Sequence, residues 1–393
     1  MKKKNSMVKD CPSPGKLFFS FLKLGAVAFG GPAIVIPLRR MVVDQKQWLD
    51  ADTFAEGNAL CQAVPGAISV QMAIYVGLKL QGLRGALASF AGFIFAPFLF
   101  MLTLSFLYAR MHSLPIVASA FNGLRVIIIA VLAHAAVSVA GAYVKQWGSM
   151  LIAAISACLF GLKLNPALVI FLAGLAGLLL PAKNSCPGDV RNSGINNSPP
   201  RPLQFLLLAA AVALGFISLY FVDRSLFMLA LLMCKIDLFA FGGGYTSVPL
   251  MFHEIVEVRS WLDSRTLLDG IALGQITPGP IVLTATFVGY MLKGLIGGTI
   301  ATIGIFLPSF LIVIGITPYF DMLKNLPNFS KILEGIRCSF AGLLLVAVIF
   351  FGMPMHWDVR RVFLSGAAFT ALLCNVEFFR VVAAGALLSA LFL

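Results

Sequence analysis

Charge is what this sequence has least of. Of its 393 residues, 11% are Asp, Glu, Lys or Arg and 60% are hydrophobic, with a mean hydropathy of +0.95. Soluble domains carry about 25% charged residues, so a wholly aqueous setting is excluded. Cysteine is sparse: Cys11, Cys61, Cys158, Cys186, Cys234, Cys338 and Cys374 are scattered, odd in number and contain no C-x-x-C. A disulfide framework and a zinc site are both excluded by that pattern. There is no G-x-x-x-x-G-K-[ST], so the chain has no nucleotide motor of its own. His253-Glu254 lacks the second histidine of H-E-x-x-H, and no nucleophile–base set appears, which speaks against an enzyme. The basic excess, 29 Lys+Arg against 16 Asp+Glu, lies between apolar segments and forms no stripe for nucleic acid. It reads as positive-inside topology, with a contribution to attracting an anion.

What is there in quantity is apolar sequence. Runs of about 18 residues or more recur, long enough to cross a bilayer. They lack the alternation of barrel strands, which leaves helices. Breakers divide the chain into segments near 17–40, 57–80, 85–109, 116–142, 148–163 and 166–181. After a polar linker, Ala182 to Pro202, come 203–222, 225–252, 270–292, 295–318, 332–352, 358–374 and 377–393. The short pairs 148–163/166–181 and 358–374/377–393 read as tight hairpins. The N-terminus imitates a signal peptide, with Ala26-Val27-Ala28 as an A-x-A. The same segment returns in mid-chain, which argues against cleavage.

That return is part of a repeat. Phe21–Pro37 matches Leu232–Pro249, with Lys23 on Lys235 and Pro37 on Pro249, each 212 positions apart (235 − 23). Trp48–Ala67 matches Trp261–Pro280 at 213, and Gly82 and Gly85 match Gly294 and Gly297 at 212 again. The organisation is a first repeat over 1–181 (core 18–100), a linker over 182–202, and a linking helix plus second repeat over 203–393 (core 229–312). If all seven segments between the repeat starts cross, the second copy is upside down. The expectation is an all-α polytopic membrane protein of about 10–13 membrane segments, with two inverted homologous repeats and broken helices at mid-membrane.

The breaks are matched. Gly30-Gly31-Pro32 and Gly242-Gly243-Gly244 interrupt one segment in each half, and Pro65-Gly66 and Pro278-Gly279-Pro280 interrupt a second. Half-helix starts offer free N–H groups and positive dipole ends, which suit an anion; a simple packing kink is the bland alternative. An unbroken alanine helix at Pro278 and Gly279 would then keep or raise stability while withdrawing those donors. Lys23 and Lys235 lie seven residues before the glycines, as a cradle for a dianion or as snorkelling ammonium groups. Gln62, Gln275, Thr277, Thr284 and Thr286 supply further donors, or bond back to their own helix. Arg39 and Arg40 form a vestibule or a loop-face patch. Asp237, alone in its segment, is a proton-coupling group or a local countercharge. Trp48 and Trp261 read as interfacial anchors, with Asp50 and Asp263 as helix caps.

F-G-G-P followed by W-L…C-Q-x-x-P-G, repeated as F-G-G-G…W-L…G-Q-x-T-P-G-P, with G-I-F-L-P-S-F (Gly304–Phe310) beyond, resembles the chromate ion transporter family in its long two-repeat form. The resemblance covers about 18–100 and 229–312; elsewhere the likeness is only hydrophobicity. It implies chromate efflux across the bacterial inner (plasma) membrane, with sulfate as a related or competing oxyanion. No cofactor and no metal are implied. The implied partners are chromate or a sulfate-like oxyanion and the lipid bilayer, with a homodimer open and no nucleic acid. Family members usually carry a basic residue at the positions of Lys23 and Lys235. The sequence departs from the family pattern at Ala67, where Pro-Gly-Pro is usual, and at Met41, where an acid often follows the arginines. A carrier of another small anion, and a non-transporting membrane scaffold, stay open as alternatives.

Overall fold

A computed structural model describes residues 12–29, 34–111, 114–180, 202–324, 326–374, 376 and 378–392. The linker and Gly30, Gly31 and Pro32 lie outside these residues. Among the described residues there is helix and no strand. The first half holds α1 (Pro14–Val27), α2 (Val35–Arg39), α3 (Ala51–Ala63), α4 (Ile68–Met111), α5 (Pro115–Tyr143), α6 (Trp147–Gly161) and α7 (Pro166–Gly177). After α8 (Pro202–Val222) come α9 (Arg224–Phe239), α10 (Ser247–Met251), α11 (Ser264–Ile276), α12 (Thr284–Ile316), α13 (Phe320–Lys324), α14 (Pro327–Gly352), α15 (Val359–Leu373) and α16 (Phe378–Phe392). Caps set the starts in matched fashion: Asp50 accepts from Thr53 N at 2.7 Å and Asp263 from Thr266 N at 2.5 Å.

The interrupted segments fold back instead of kinking through. Lys235 Nζ lies 2.6 Å from Glu254 Oε1 on the far side of the glycine break, although 19 residues of straight helix would separate them by about 28 Å. Across the proline break, Tyr75 OH donates to Thr53 O at 3.3 Å. A Cβ added at Gly270 would lie 2.2 Å from the Phe287 ring, and one at Gly57 the same distance from Tyr75. The second half therefore begins with two re-entrant hairpins; the first half shows the proline hairpin, and the repeat assigns it the glycine hairpin, whose tip lies outside the described residues. A break reports that the ladder stops; it does not say in which direction the chain resumes.

The long helices reverse as well. At Gln81–Gly82 and Lys293–Gly294 the backbone leaves the helix, with Gly82 at φ 59°, ψ −146° and Gly294 at φ 60°, ψ −148°. Only glycine holds that conformation without strain. Beyond the turn, Ser89 Oγ donates to Ala73 O at 2.7 Å, and Thr286 and Thr302 share a 2.7 Å hydroxyl contact. The second arms (83–111 and 295–316) are each long and apolar enough to cross a bilayer, and they pack on each other. Phe90 meets Phe310 with centroids 5.1 Å apart and Phe306 at 6.2 Å, while Leu102 lies against Gly298. Rising numbers on one arm meet falling numbers on the other, so equivalent helices run antiparallel. The pseudo-two-fold axis is perpendicular to them and, with these helices along the bilayer normal, lies in the membrane plane.

This inversion rests on parity. Re-entrant hairpins return to the face they enter from and add no crossing. The second arm of α4 and α5 add two, the short antiparallel pair α6 and α7 adds an even number, and α8 adds one. Helix α8 lies outside the packed body, with no buried residue across its apolar window. The shift of repeat register from 212 to 213 falls in a π-helical turn, six residues long at Arg40–Gln45 and seven at Phe252–Val258.

Candidate functional site at the hairpin tips

The hairpin tips of the two halves interlock. Gly66 N–H donates to Ala240 O at 2.9 Å, and Gly279 N–H donates to Ala28 O at 2.7 Å. These are one bond made twice, since 240 is 28 + 212 and 279 is 66 + 213. Gly66 (φ 117°) and Gly279 (φ 103°) hold the left-handed conformation that the crossing requires. Gly242 and Gly243, at φ 88° and 103°, turn the third tip, and Gly244 packs on Ile281 and Val282 just beyond Pro280. The breaks thus meet, but the two glycine amides expected to face an anion are already bonded across the halves.

Several further expectations change. Thr277 Oγ1 donates to Gly274 O at 3.1 Å and Thr284 Oγ1 to Ile281 O at 2.9 Å, so both hydroxyl protons serve their own turns. Gln62 is exposed, and its main-chain carbonyl, not its amide, is engaged, by Arg337 Nη2 at 2.7 Å. Gln275 is buried, with Nε2 unpartnered among the described residues. Pro65 O accepts from Gln71 Nε2.

The two lysines differ. Lys235 is bound to Glu254, whose second oxygen takes Arg259. Lys23 is exposed and has no hydrogen bond or ion pair among the described residues. The position matching Glu254 is Met41 (254 − 213). Arg39 and Arg40 line a cavity of about 390 Å³ with Asp44 and Asn58, and the Arg39–Asp44 contact is long, at 3.9 Å.

A second pair of cations escaped the sequence reading. Arg125 and Arg337 are 212 apart, each closing a G-x-R (Gly123-Leu124-Arg125 and Gly335-Ile336-Arg337). That repeated motif was the available signal. Arg125 grips Asp269 with Nε at 2.6 Å and Nη2 at 2.7 Å, and Tyr108 OH donates to the same carboxylate at 2.7 Å. Arg337 has the Gln62 carbonyl and the Tyr143 ring at 5.1 Å, and no carboxylate among the described residues.

Asp237 is fully buried at the tip crossing. Its Oδ2 accepts from Ser309 N at 2.9 Å and Ser309 Oγ at 2.7 Å, and Gln71 Nε2 lies 3.3 Å from that hydroxyl oxygen. Ser309 and Gln71 also went unremarked in the sequence, where each is one polar residue in an apolar run. Outside the membrane segments, Asp223 caps α9. Hydrogen bonds from the Ser225 hydroxyl and N–H draw its carboxyl down to about 2.

An all-helical membrane protein whose inverted halves cross re-entrant tips at the centre has the architecture of a secondary transporter. The chain belongs to the chromate transporter family, whose model matches residues 15–178 and 227–390. Both bounds are offset by 212 (227 − 15 and 390 − 178), so the repeat runs through α5–α7 and α14–α16, well beyond the cores recognised by motif. An uncharacterized transporter of Methanocaldococcus jannaschii is 42% identical over 95% of this chain and 91% of its own. A chromate transport protein of Cupriavidus metallidurans is 29% identical over 89% and 85%. A probable chromate transport protein of Synechococcus elongatus is 29% identical over 86% and 84%. No solved structure matches.

Proposed function

We propose that this protein moves chromate out of the cell across the inner membrane by a gradient-driven cycle, with sulfate as a related and competing dianion. The observation that supports the reading is the uncompensated positive charge around the first-half hairpins. Lys23, Arg40 and Arg337 have no carboxylate partner among the described residues, and all belong to or touch first-half hairpins. A dianion in hydrocarbon faces a Born cost of tens of kcal/mol, and unpaired cations offset that cost where paired ones cannot. The basic residues of the first hairpin, Lys16, Arg39, Arg40 and Lys46, with Lys2, Lys3, Lys4 and Lys9 preceding them, favour a cytoplasmic entrance in the first half.

The test is radiolabelled chromate flux in inverted vesicles, with and without sulfate. Uptake that saturates, falls with added sulfate and is absent from vesicles lacking the protein is expected. Flux insensitive to sulfate but blocked by another small anion would reassign the cargo. No flux of any oxyanion would leave a scaffold.

A further inference from the structure

The two tip crossings are built alike but differ in chemistry. At one, Gly66 is surrounded by Asp237, Ser309 and Gln71: a Cβ added there would lie 1.8 Å from Ser309 Oγ, 2.7 Å from Gln71 Nε2 and 3.1 Å from Asp237 Oδ1. At the other, Gly279 is flanked by Pro97 (309 − 212) and Leu283 (71 + 212), and the position matching Asp237 is Gly25 (237 − 212). There the same added Cβ would meet Pro97 at 2.8 Å. One crossing is polar and acidic, and its twin carries no ionisable group.

The polar crossing is short of protons. Its donors are the Ser309 N–H and O–H and the Gln71 amide. They satisfy Asp237 Oδ2, the Ser309 oxygen and Pro65 O. Asp237 Oδ1 and Gln71 Oε1 are both buried acceptors without a hydrogen-bond partner among the described residues. Two orphan acceptor oxygens are costly as they stand. A structural knot would need one more donor.

No neighbouring charge fills that need. On α9, Lys235 is committed to Glu254, and the Cys234 thiol donates to Gly304 O at 3.2 Å. Helix α12 has no ionisable side chain from Gly294 through Pro318, and Lys293 before it pairs with Asp223 at 3.6 Å. The 64–71 tip and α10 have none. Tyr75 beyond the tip bonds Thr53 O, Tyr245 is the only ionisable side chain of the glycine tip, and Tyr220 of α8 stacks with Arg224.

We propose that Asp237 is the proton-carrying group of the transport cycle, binding one proton on Oδ1 when the tips are closed and releasing it when they part. The proton gives the crossing the donor it lacks and leaves the Ser309 bonds in place. A metal ion suits the place poorly, since hard cations take a shell of several oxygens at about 2.0–2.6 Å. Here a single methyl group would already collide with Ser309. The twin crossing has nothing to protonate, which makes the stoichiometry one per chain. This inference deepens the transport reading and rests on it.

The experiment uses the full chain in proteoliposomes and measures two fluxes of labelled chromate. One is net uptake driven by an imposed pH gradient; the other is chromate–chromate exchange at equal pH. Wild type should show both, and exchange in wild type is the independent check on cargo. Asp237→Asn should retain exchange and lose at least tenfold in gradient-driven uptake. Ser309→Ala removes one donor to the carboxylate and favours its protonated form, so the pH midpoint of driven uptake should rise. Driven uptake at wild-type rate in Asp237→Asn would overturn the proposal. So would wild-type uptake that follows a sodium gradient and ignores pH. Should Asp237→Asn not assemble, the Ser309→Ala midpoint decides, and an unmoved midpoint overturns it. Loss of exchange in wild type would instead count against chromate as cargo.

Discussion

The two halves share a backbone and divide the electrostatics. Both have two re-entrant hairpins, a glycine-turned reversal and a G-x-R arginine. Around the second-half hairpins the cations are neutralised: Lys235 by Glu254, and Arg125, which reaches across from α5 of the first half, by Asp269. Around the first-half hairpins Lys23 and Arg337, the latter reaching across from α14 of the second half, have no such partner among the described residues, because Met41 replaces the acid and Glu56, matching Asp269 (269 − 213), is bonded to neither. At the tips too the acid, Asp237, belongs to the second half and glycine, Gly25, stands at the matching position of the first. Duplication supplies a symmetric scaffold, and divergence of a few side chains makes one half a cation-rich face and the other a paired one.

The largest effect should come from breaking the deepest pair. Asp269→Asn leaves the Arg125 guanidinium buried without its carboxylate, which costs about 3–5 kcal/mol. The matching Glu56→Gln should leave thermal unfolding in detergent nearly unchanged. Equal losses in the two variants would show that the halves are not divided as described.

Transport should follow the unpaired lysine. Lys23→Gln should reduce chromate flux by about tenfold or more, equivalent to roughly 1.4 kcal/mol or more, with Lys23→Arg recovering part of it. Lys235→Gln should cost less flux, since Glu254 keeps Arg259. Initial rates for the pair discriminate directly.

At the tips, Gly66→Ala should destabilise more than Gly279→Ala. Each forces a left-handed residue at about 1–3 kcal/mol, and the alanine at 66 also overlaps Ser309 and Gln71. Higher stability on adding alanine at 278 and 279, the expectation for a helix that runs straight through, is excluded by the fold-back. Thermal unfolding of both variants checks the ranking.

The smallest difference is in the caps. Ser13 caps α1 and is indifferent to pH, whereas Asp223 caps α9 with a carboxyl lowered to about 2 from 3.8. Its contribution is complete above the ordinary value and disappears as pH falls through about 2. Hydrogen exchange at the start of α9 should therefore accelerate in acid, and in Asp223→Ala it should be fast at every pH.

The repeat, its breaks and the odd parity were legible because they depend on local composition and spacing. Two of the seven counted segments turn out to be re-entrant, but removing an even number leaves the parity intact. The direction of the chain after each break was not legible: Pro65-Gly66 stops a helix equally well whether the next one continues or returns. Nor were the ion pairs, since Arg125 and Asp269 are 144 residues apart and nothing near either one announces the other. Ser309 and Gln71 acquire meaning only when the crossing sets them beside Asp237.

Helix α8 touches little and holds nothing at the centre, yet the orientation of everything after it depends on it. The even number of crossings before it would thread a second copy through the bilayer in the same sense as the first. This one added passage makes the nascent chain begin its second half from the opposite compartment. Cutting α8 out should leave two intact halves both entering from one side, unable to form the reciprocal bonds between Gly66 and Ala240 and between Gly279 and Ala28. A helix that packs only at the edge of the finished molecule thereby acts during synthesis, as the segment that turns a tandem duplication into an inverted one.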